Sequence, residues 1–314
     1  MDVSLVIPAY NEEESLTELM AWISKVMKSA SLSYEALLID DGSNDNTWEK
    51  IEELSNDYPI KGFKFQHNYG KSAALFVGFE NALGDSVITM DADMQDSPDE
   101  IPELHRMIVE EGFDMVSGWK RRRYDPMGKT IPSRFFNYTA RIVSGIKLHD
   151  FNCGLKAYRN DVVKSIEVYG EMHRYIPVLV KASGFKKIGE KIVHHRARKY
   201  GVSKYGIERM MKGYLDLLTV TFLTRFSKSP MYFFGAFGTL LFLMGGFSVA
   251  YIIIEKLCLQ SAGQMVRAVT AQPLFFLAIL AIILGVQFFM TGLLAELMSR
   301  KAPERNSYKI IKNI

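Results

Sequence analysis

Residues 86–96 read Ser-Val-Ile-Thr-Met-Asp-Ala-Asp-Met-Gln-Asp, and this stretch decides the fold. A short apolar run, Ser86–Met90, has the length and β-branched content of a buried strand. It stops abruptly at Asp91-Ala92-Asp93, with Gln95 and Asp96 close behind. Two carboxylates two residues apart at a strand end can face one ligand while the backbone turns. Alone, Asp-x-Asp is a common solvated acidic loop. Its place after a strand makes it a candidate ligand site.

Working outward, the same grammar repeats. Val3–Ile7, Glu35–Ile39 and Lys61–Gln66 read as strands; Glu12–Met27, Thr47–Leu54 and Ser72–Ala82 carry helical spacing. This β-α-β alternation predicts an α/β, Rossmann-like, mostly parallel sheet covered by helices. Polar clusters follow each strand: Pro8-Ala9-Tyr10-Asn11-Glu12, Asp40-Asp41-Gly42-Ser43 and His67-Asn68-Tyr69-Gly70-Lys71. Ligands of open α/β sheets bind beyond the carboxyl ends of strands, so the clusters predict one shared site. Asp41 fits hydrogen bonding to a nucleobase or ribose, against the alternative of an ordinary Asp-Gly turn. Neither a Walker A loop nor GxGxxG is present, which argues against a P-loop nucleotidase and a dehydrogenase.

The last third changes character. Met231–Ile254 and Pro273–Ala295 contain no charged residue. Each exceeds the roughly 20 residues needed to cross a bilayer core. Arg225 and Lys228 precede the pair and Arg300, Lys301, Arg305, Lys309 and Lys312 follow it, while the intervening loop carries Lys256 and Arg267. The Lys/Arg asymmetry predicts a hairpin with both flanks cytoplasmic. Ile207–Phe226 repeats apolar residues at helical spacing and fits an interfacial amphipathic helix or one packed on the soluble part. The expected division is 1–205 catalytic, 206–228 juxtamembrane and 229–314 hairpin plus tail. The opening residues lack a basic, long-apolar signal pattern, which predicts that the catalytic part stays in the cytoplasm. A net charge of +3 gives no reason to expect nucleic acid as partner, and Cys153 and Cys258 form no metal or disulfide pattern.

Several longer stretches now combine: Val-Ile-Pro-Ala-Tyr-Asn-Glu-Glu (6–13), Ile-Asp-Asp-Gly-Ser (39–43) and Met-Asp-Ala-Asp-Met-Gln-Asp-Ser-Pro (90–98). With them go Asp150-Phe-Asn-Cys-Gly-Leu-Lys156 and Arg198-Lys-Tyr-Gly-Val-Ser-Lys-Tyr205. Together these resemble the inverting GT-A glycosyltransferases of family 2, and with the hairpin they resemble its polyprenyl-phosphate branch. The resemblance implies that Pro8, Tyr10, Glu12 and Asp41 line a base and ribose pocket. It implies that Asp91 contacts the nucleotide or a metal, and that Asp93 and Gln95 hold Mg2+ or Mn2+. Arg198, Ser203 and Lys204 would close over the diphosphate. Asp150 would serve as a base or orient the acceptor or sugar; its alternative is a turn residue. Lys71 lies where relatives often carry other residues, which leaves its role open.

The acceptor side is argued from charge. Lys120, Arg121 and Arg134 are candidate partners of a lipid phosphate, since Arg offers bidentate contacts. A phosphate monoester, with a second pKa near ~6, is largely dianionic at neutral pH and needs no strong base to attack. The resemblance implies transfer from a nucleotide sugar, UDP-glucose or a related UDP-sugar, to undecaprenyl phosphate at the inner-membrane face. The alternatives are a tethered transferase acting on a glycan hydroxyl, a GDP-mannose enzyme, a processive synthase and a silent nucleotide-sugar-binding scaffold. No Gln-x-x-Arg-Trp motif supports the processive reading. A homo-oligomer is compatible with all of these.

Overall fold

The structure is a computed structural model that describes residues 1–121, 137–142, 144–196, 230–263, 268–300 and 310–313. By its contacts the chain divides into two units: Met1–Thr224 with Arg305–Ile314, and Arg225–Glu304.

The first unit is built on an eight-stranded mixed sheet. Its strands are β1 (Val3–Ala9), β2 (Tyr34–Asp40), β3 (Ile60–Phe65), β4 (Ser86–Thr89), β5 (Met115–Trp119), β6 (Lys156–Arg159), β7 (Ile188–Ile192) and β8 (Ile310–Asn313). They lie in the order β7-β5-β6-β4-β1-β2-β3-β8. The pairs β1–β2, β1–β4, β2–β3 and β5–β7 are parallel; β6 and β8 pair antiparallel with their neighbours. This is the α/β architecture that the alternation predicts.

Helices α1 (Leu16–Ser29), α2 (Thr47–Leu54) and α4 (Ile101–Val109) contribute to the hydrophobic cluster on one face of the sheet. Helices α3 (Lys71–Asn81), α5 (Asn160–Lys164) and α6 (Ile176–Ala182) contribute to the cluster on the other. Because side chains alternate along a strand, β1 sends Val3, Leu5 and Ile7 to the first cluster and Val6 to the second. Burial on both faces explains why the central strands read as apolar runs rather than alternations.

One register detail creates the site. β1 pairs with β4 only from Val3↔Ser86 to Val6↔Thr89, whereas it pairs with β2 as far as Ala9↔Asp40. Beyond Val6, the β4-facing edge of β1 is therefore open. The chain has moved from β1 outward to β3 and then returned to β4 on the other side of β1, so the crevice lies at a topological switch point.

The C-terminal strand is an element that the sequence reading did not foresee. β8 pairs with β3, and Lys312 approaches Glu52 at 3.7 Å and the Trp48 ring at 5.9 Å. It covers what would otherwise be an unpaired sheet edge.

The second unit is a helical pair, α7 (Pro230–Ser261) and α8 (Pro273–Arg300). Both are long and apolar enough to cross a membrane, and most of their surface is open to the surroundings. They meet where side chains are smallest. A Cβ on Gly238 would lie 2.6 Å from the Gly285 carbonyl oxygen, so only glycine allows this approach of the two backbones.

Candidate functional site

A cleft of about 690 Å³ opens at the switch point. Pro8, Tyr10, Glu12, Asp41, Asp91 and Asp93 all line it. Six residues named from sequence as nucleotide or metal contacts thus meet in one place.

Asp41 ends β2. Its carboxylate accepts the backbone N–H groups of Tyr69 (2.7 Å) and Gly70 (3.0 Å), which fastens the loop after β3 to the loop after β2. Burial pushes its pKa up to about 6, and the neighbouring Asp40 adds to this against those two N–H donors. The Asp-Gly turn and the ligand role are thus not exclusive. Gly42 takes the turn at φ +72°, and a Cβ there would lie 2.5 Å from the backbone of His67.

Asp91 follows β4 and has a different environment. Burial opposes its charge, but Lys71 pairs directly with it and Lys120 and Lys156 lie close, holding its pKa at about 2. Lys71 is the first residue of α3; sequence alone left its role open, and the structure makes it the partner of Asp91. Lys156 was quoted only as part of a motif. It is buried in the cleft wall, its Nζ donates to the Cys153 carbonyl, and burial pushes its pKa down. Gly154 permits the packing: a Cβ there would sit 2.5 Å from Asp91 Oδ2 and 2.9 Å from Asp96 Oδ2.

The loop then turns through Met94, a buried residue at φ +61°, a conformation that L side chains rarely adopt. Such strain persists where its surroundings fix it, often at functional sites. The turn lets the Gln95 N–H donate to Asp93 Oδ1 at 3.2 Å. The Gln95 carbonyl accepts the Arg196 N–H at 3.0 Å, and Asp96 forms a bridge with His195. The strand end carrying His194 and His195 is therefore tied to the acidic loop. Arg198, Ser203 and Lys204, proposed to close over a diphosphate, lie outside the described residues.

Of the residues assigned to the acceptor, Lys120 pairs with the buried Asp96 at 2.8 Å and is only 14% exposed. Burial works against its charge, but Asp96 pushes its pKa up. Arg121 is exposed, with its guanidinium 6.0 Å from the Trp119 ring centre. Arg134 lies outside the described residues. Asp150 is buried and accepts the Asn152 N–H at 3.1 Å, a local turn that presents Asn152–Gly154 to the cleft. Glu190 supports this turn by accepting the N–H groups of His149 (2.7 Å) and Asp150 (3.0 Å).

Sequence reasoning missed the cleft wall formed by Glu171, His173 and Arg174. The available signal was the polar cluster Glu-Met-His-Arg directly after Gly170.

Asp91 and Asp93 offer hard oxygen ligands suited to Mg2+ or Mn2+. Among the described residues, no three His, Cys, Asp or Glu side chains converge to cage an ion. Asp91 and Asp93 thus supply part of the ligand set that such an ion needs.

Comparison with known proteins identifies the family. The model of the family described as "Glycosyl transferase family 2" matches residues 4–167. Dodecaprenyl-phosphate galacturonate synthase of Rhizobium johnstonii is 34% identical over 304 residues, covering 96% of this chain and 88% of the relative. Undecaprenyl-phosphate 4-deoxy-4-formamido-L-arabinose transferase of Shewanella sediminis is 37% identical, covering 95% and 87%. The fold is shared with glucosyl-3-phosphoglycerate synthase of Mycobacterium tuberculosis, crystallised with Mn2+ and UDP-glucose. That likeness has a TM-score of 0.54 at 19% identity and covers 71% of this chain and 78% of the other. With the site at the switch point and relatives spanning nearly its whole length, this chain belongs to glycosyl transferase family 2 and is a glycosyltransferase.

Proposed function

We propose that the protein transfers a sugar from a UDP-sugar to a polyprenyl phosphate at the cytoplasmic face of the inner membrane. The observation that carries this reading is the pairing of an acidic, nucleotide-suited cleft with a long apolar helical hairpin in one chain. The names of the relatives, transferases acting on dodecaprenyl and undecaprenyl phosphate, support the acceptor class.

In this reading Pro8, Tyr10 and Asp41 hold the nucleoside, and Glu12 borders it. Asp93 and Gln95, with Asp91 beside them, would hold Mg2+ or Mn2+, which would supply charge neutralisation of the diphosphate. Lys71, released from Asp91 as the donor enters, supplies a further cation toward the phosphates. A phosphate oxygen of the acceptor attacks the anomeric carbon from the face opposite the diphosphate. The new carbon–oxygen bond forms as the bond to the diphosphate breaks, UDP departs and the configuration inverts. The dianionic acceptor loses no proton, so no strong base is required. Arg121 and Arg134 are the proposed grip on the acceptor phosphate. Lys120, engaged with Asp96, would act by holding the acidic loop.

UDP-glucose is the first donor to test. The sugars in the relatives' names, galacturonate and 4-deoxy-4-formamido-L-arabinose, complete the panel. The full chain in detergent, given undecaprenyl phosphate and each donor, should yield a lipid-extractable product by thin-layer chromatography. Turnover onto a glycan hydroxyl without lipid product would overturn the acceptor. For topology, cysteines placed in the 262–272 loop of a Cys258→Ser background should react with an impermeant reagent added outside. Protection there in intact cells, with labelling only after lysis, would reverse the assigned orientation.

A further inference from the structure

The wall formed by Glu171, His173 and Arg174 has no role in the scheme above. Arg174 comes from the short helical turn Met172–Tyr175 that precedes α6. Its side chain is 12% exposed and faces the same cleft as Asp91 and Asp93. Its ionic partner is Glu171, at 3.6 Å, which is longer than a hydrogen bond. Glu171 is 51% exposed, so solvent screens the anion far more than the cation. Among the described residues, the Arg174 guanidinium donates no hydrogen bond. A guanidinium carries five N–H donors in a fixed fork that matches a planar or tetrahedral oxyanion. Lining the cleft with only a long ionic contact, Arg174 can offer two of them to an occupant.

His173 stands beside it and is held in place. Its backbone N–H donates to Ser72 Oγ at 3.0 Å, and Ser72 Oγ lies 3.1 Å from the ring Nδ1. Ser72 can give its own proton to Nδ1, which places the imidazole proton on Nε2. Ser72 is the second residue of α3, immediately after Lys71. The wall is thus anchored to the helix that begins with the Asp91 partner.

We propose that Arg174, with His173 beside it, forms an oxyanion seat in the cleft distinct from the diphosphate site. Its occupant is a planar or tetrahedral oxyanion that belongs to the reaction. Two groups have that chemistry: a carboxylate on the transferred sugar, and the phosphate of the lipid acceptor. The inference rests on the proposed transfer from a nucleotide sugar to polyprenyl phosphate. Glu171 acts as a counter-ion that the occupant displaces.

The test is steady-state kinetics on the full chain in detergent, with UDP-galacturonate, UDP-galactose and UDP-glucose as donors and undecaprenyl phosphate as acceptor. Wild-type transfer to the lipid is established first; if no donor gives it, the functional reading itself fails and the seat is not at issue. Arg174→Ala, Arg174→Gln and Arg174→Lys are then compared, with thermal melting to show that each remains folded. Loss of one charged bidentate contact should raise one KM about tenfold to a hundredfold. If the uronate KM rises and the hexose KM does not, the seat reads the sugar carboxylate. If the acceptor KM rises with every donor, it reads the lipid phosphate. Arg174→Lys should recover part of the loss, since it returns charge without the fork. Glu171→Gln should lower the same KM by a few fold, an improvement that a merely structural ion pair would not give. Changes below about twofold in all of these, or an equal loss of UDP binding by calorimetry, would overturn the proposal.

Discussion

Asp41 and Asp91 are the same residue type, placed at the ends of β2 and β4, two strands that flank β1 in one sheet. Their chemistry is opposite. Asp41 is buried with backbone N–H donors and another carboxylate for neighbours, and its pKa rises to about 6. Asp91 is surrounded by Lys71, Lys120 and Lys156, and its pKa falls to about 2. Their linkage to folding also has opposite sign. Asp91, depressed, adds stability above its unfolded pKa that is lost as pH falls from about 4 toward 2. Asp41, raised, favours the folded state most when protonated, and that contribution is lost as pH climbs from about 4 through 6. The difference teaches that the sheet edge sets position, while charge state is set by what other segments bring to it.

The comparison breaks most severely at the acidic loop. Asp91→Asn and Asp93→Asn should each lower kcat by about a hundredfold or more, as expected when a group acting on developing charge is removed. Excess EDTA should do the same to the wild type. Near-normal turnover in either variant, measured against circular dichroism of the folded protein, would remove the loop from the chemistry.

Lys71→Met comes next. It deletes the ion pair to Asp91, so the Asp91 pKa should move up and an acidic limb should enter the kcat/KM profile. At pH 7.5 the loss should be about tenfold, the scale of one charge-assisted contact. Lys71→Arg should keep the wild-type pH profile. An unchanged profile in Lys71→Met would show that Lys120 and Lys156 suffice.

Asp41 should show itself in donor binding. The carboxylate is the form that accepts N–H groups, so the donor KM should rise below about pH 6 as Asp41 protonates. Asp41→Asn should flatten that dependence and cost about three- to tenfold in donor KM, with a smaller change in kcat. A flat wild-type KM from pH 5 to 8 would contradict the assigned environment.

The smallest effect belongs to a control on the opposite side of β3 from the strands that carry both carboxylates. Ending the chain after Lys309 removes β8 and exposes the β3 edge. The midpoint of thermal unfolding should drop by a few degrees, about what 1 kcal/mol does in a domain of this size. Both pH profiles should keep their shape. A displaced Asp41 inflection in this variant would mean that the sheet edge reaches the site.

Much of the site was legible because strand ends are legible. Apolar runs bounded by Pro8, Asp40 and Asp91 mark where each strand stops, and the doubly wound topology gathers those stops. Lys71 and Lys156 were visible as residues but not as partners of Asp91, since they stand 20 and 65 positions away in sequence. Arg174 was not singled out at all. It reaches the cleft from beyond β6, and no local pattern says that Met172–Tyr175 turns back toward α3. Lys120 shows the same limit. A basic run made it a candidate for a lipid phosphate, and only the structure shows its side chain largely buried with Asp96.

By itself, then, the sequence determined the α/β alternation, the polar strand-end edge that lines the cleft and the two apolar spans, because each is a local pattern of hydropathy and turn chemistry. The tertiary structure decided which cation meets which carboxylate, where β8 lies, and that Arg174 enters the cleft. Those depend on contacts between residues far apart in the chain, and a buried charge takes its energy from such neighbours rather than from its own position in the sequence.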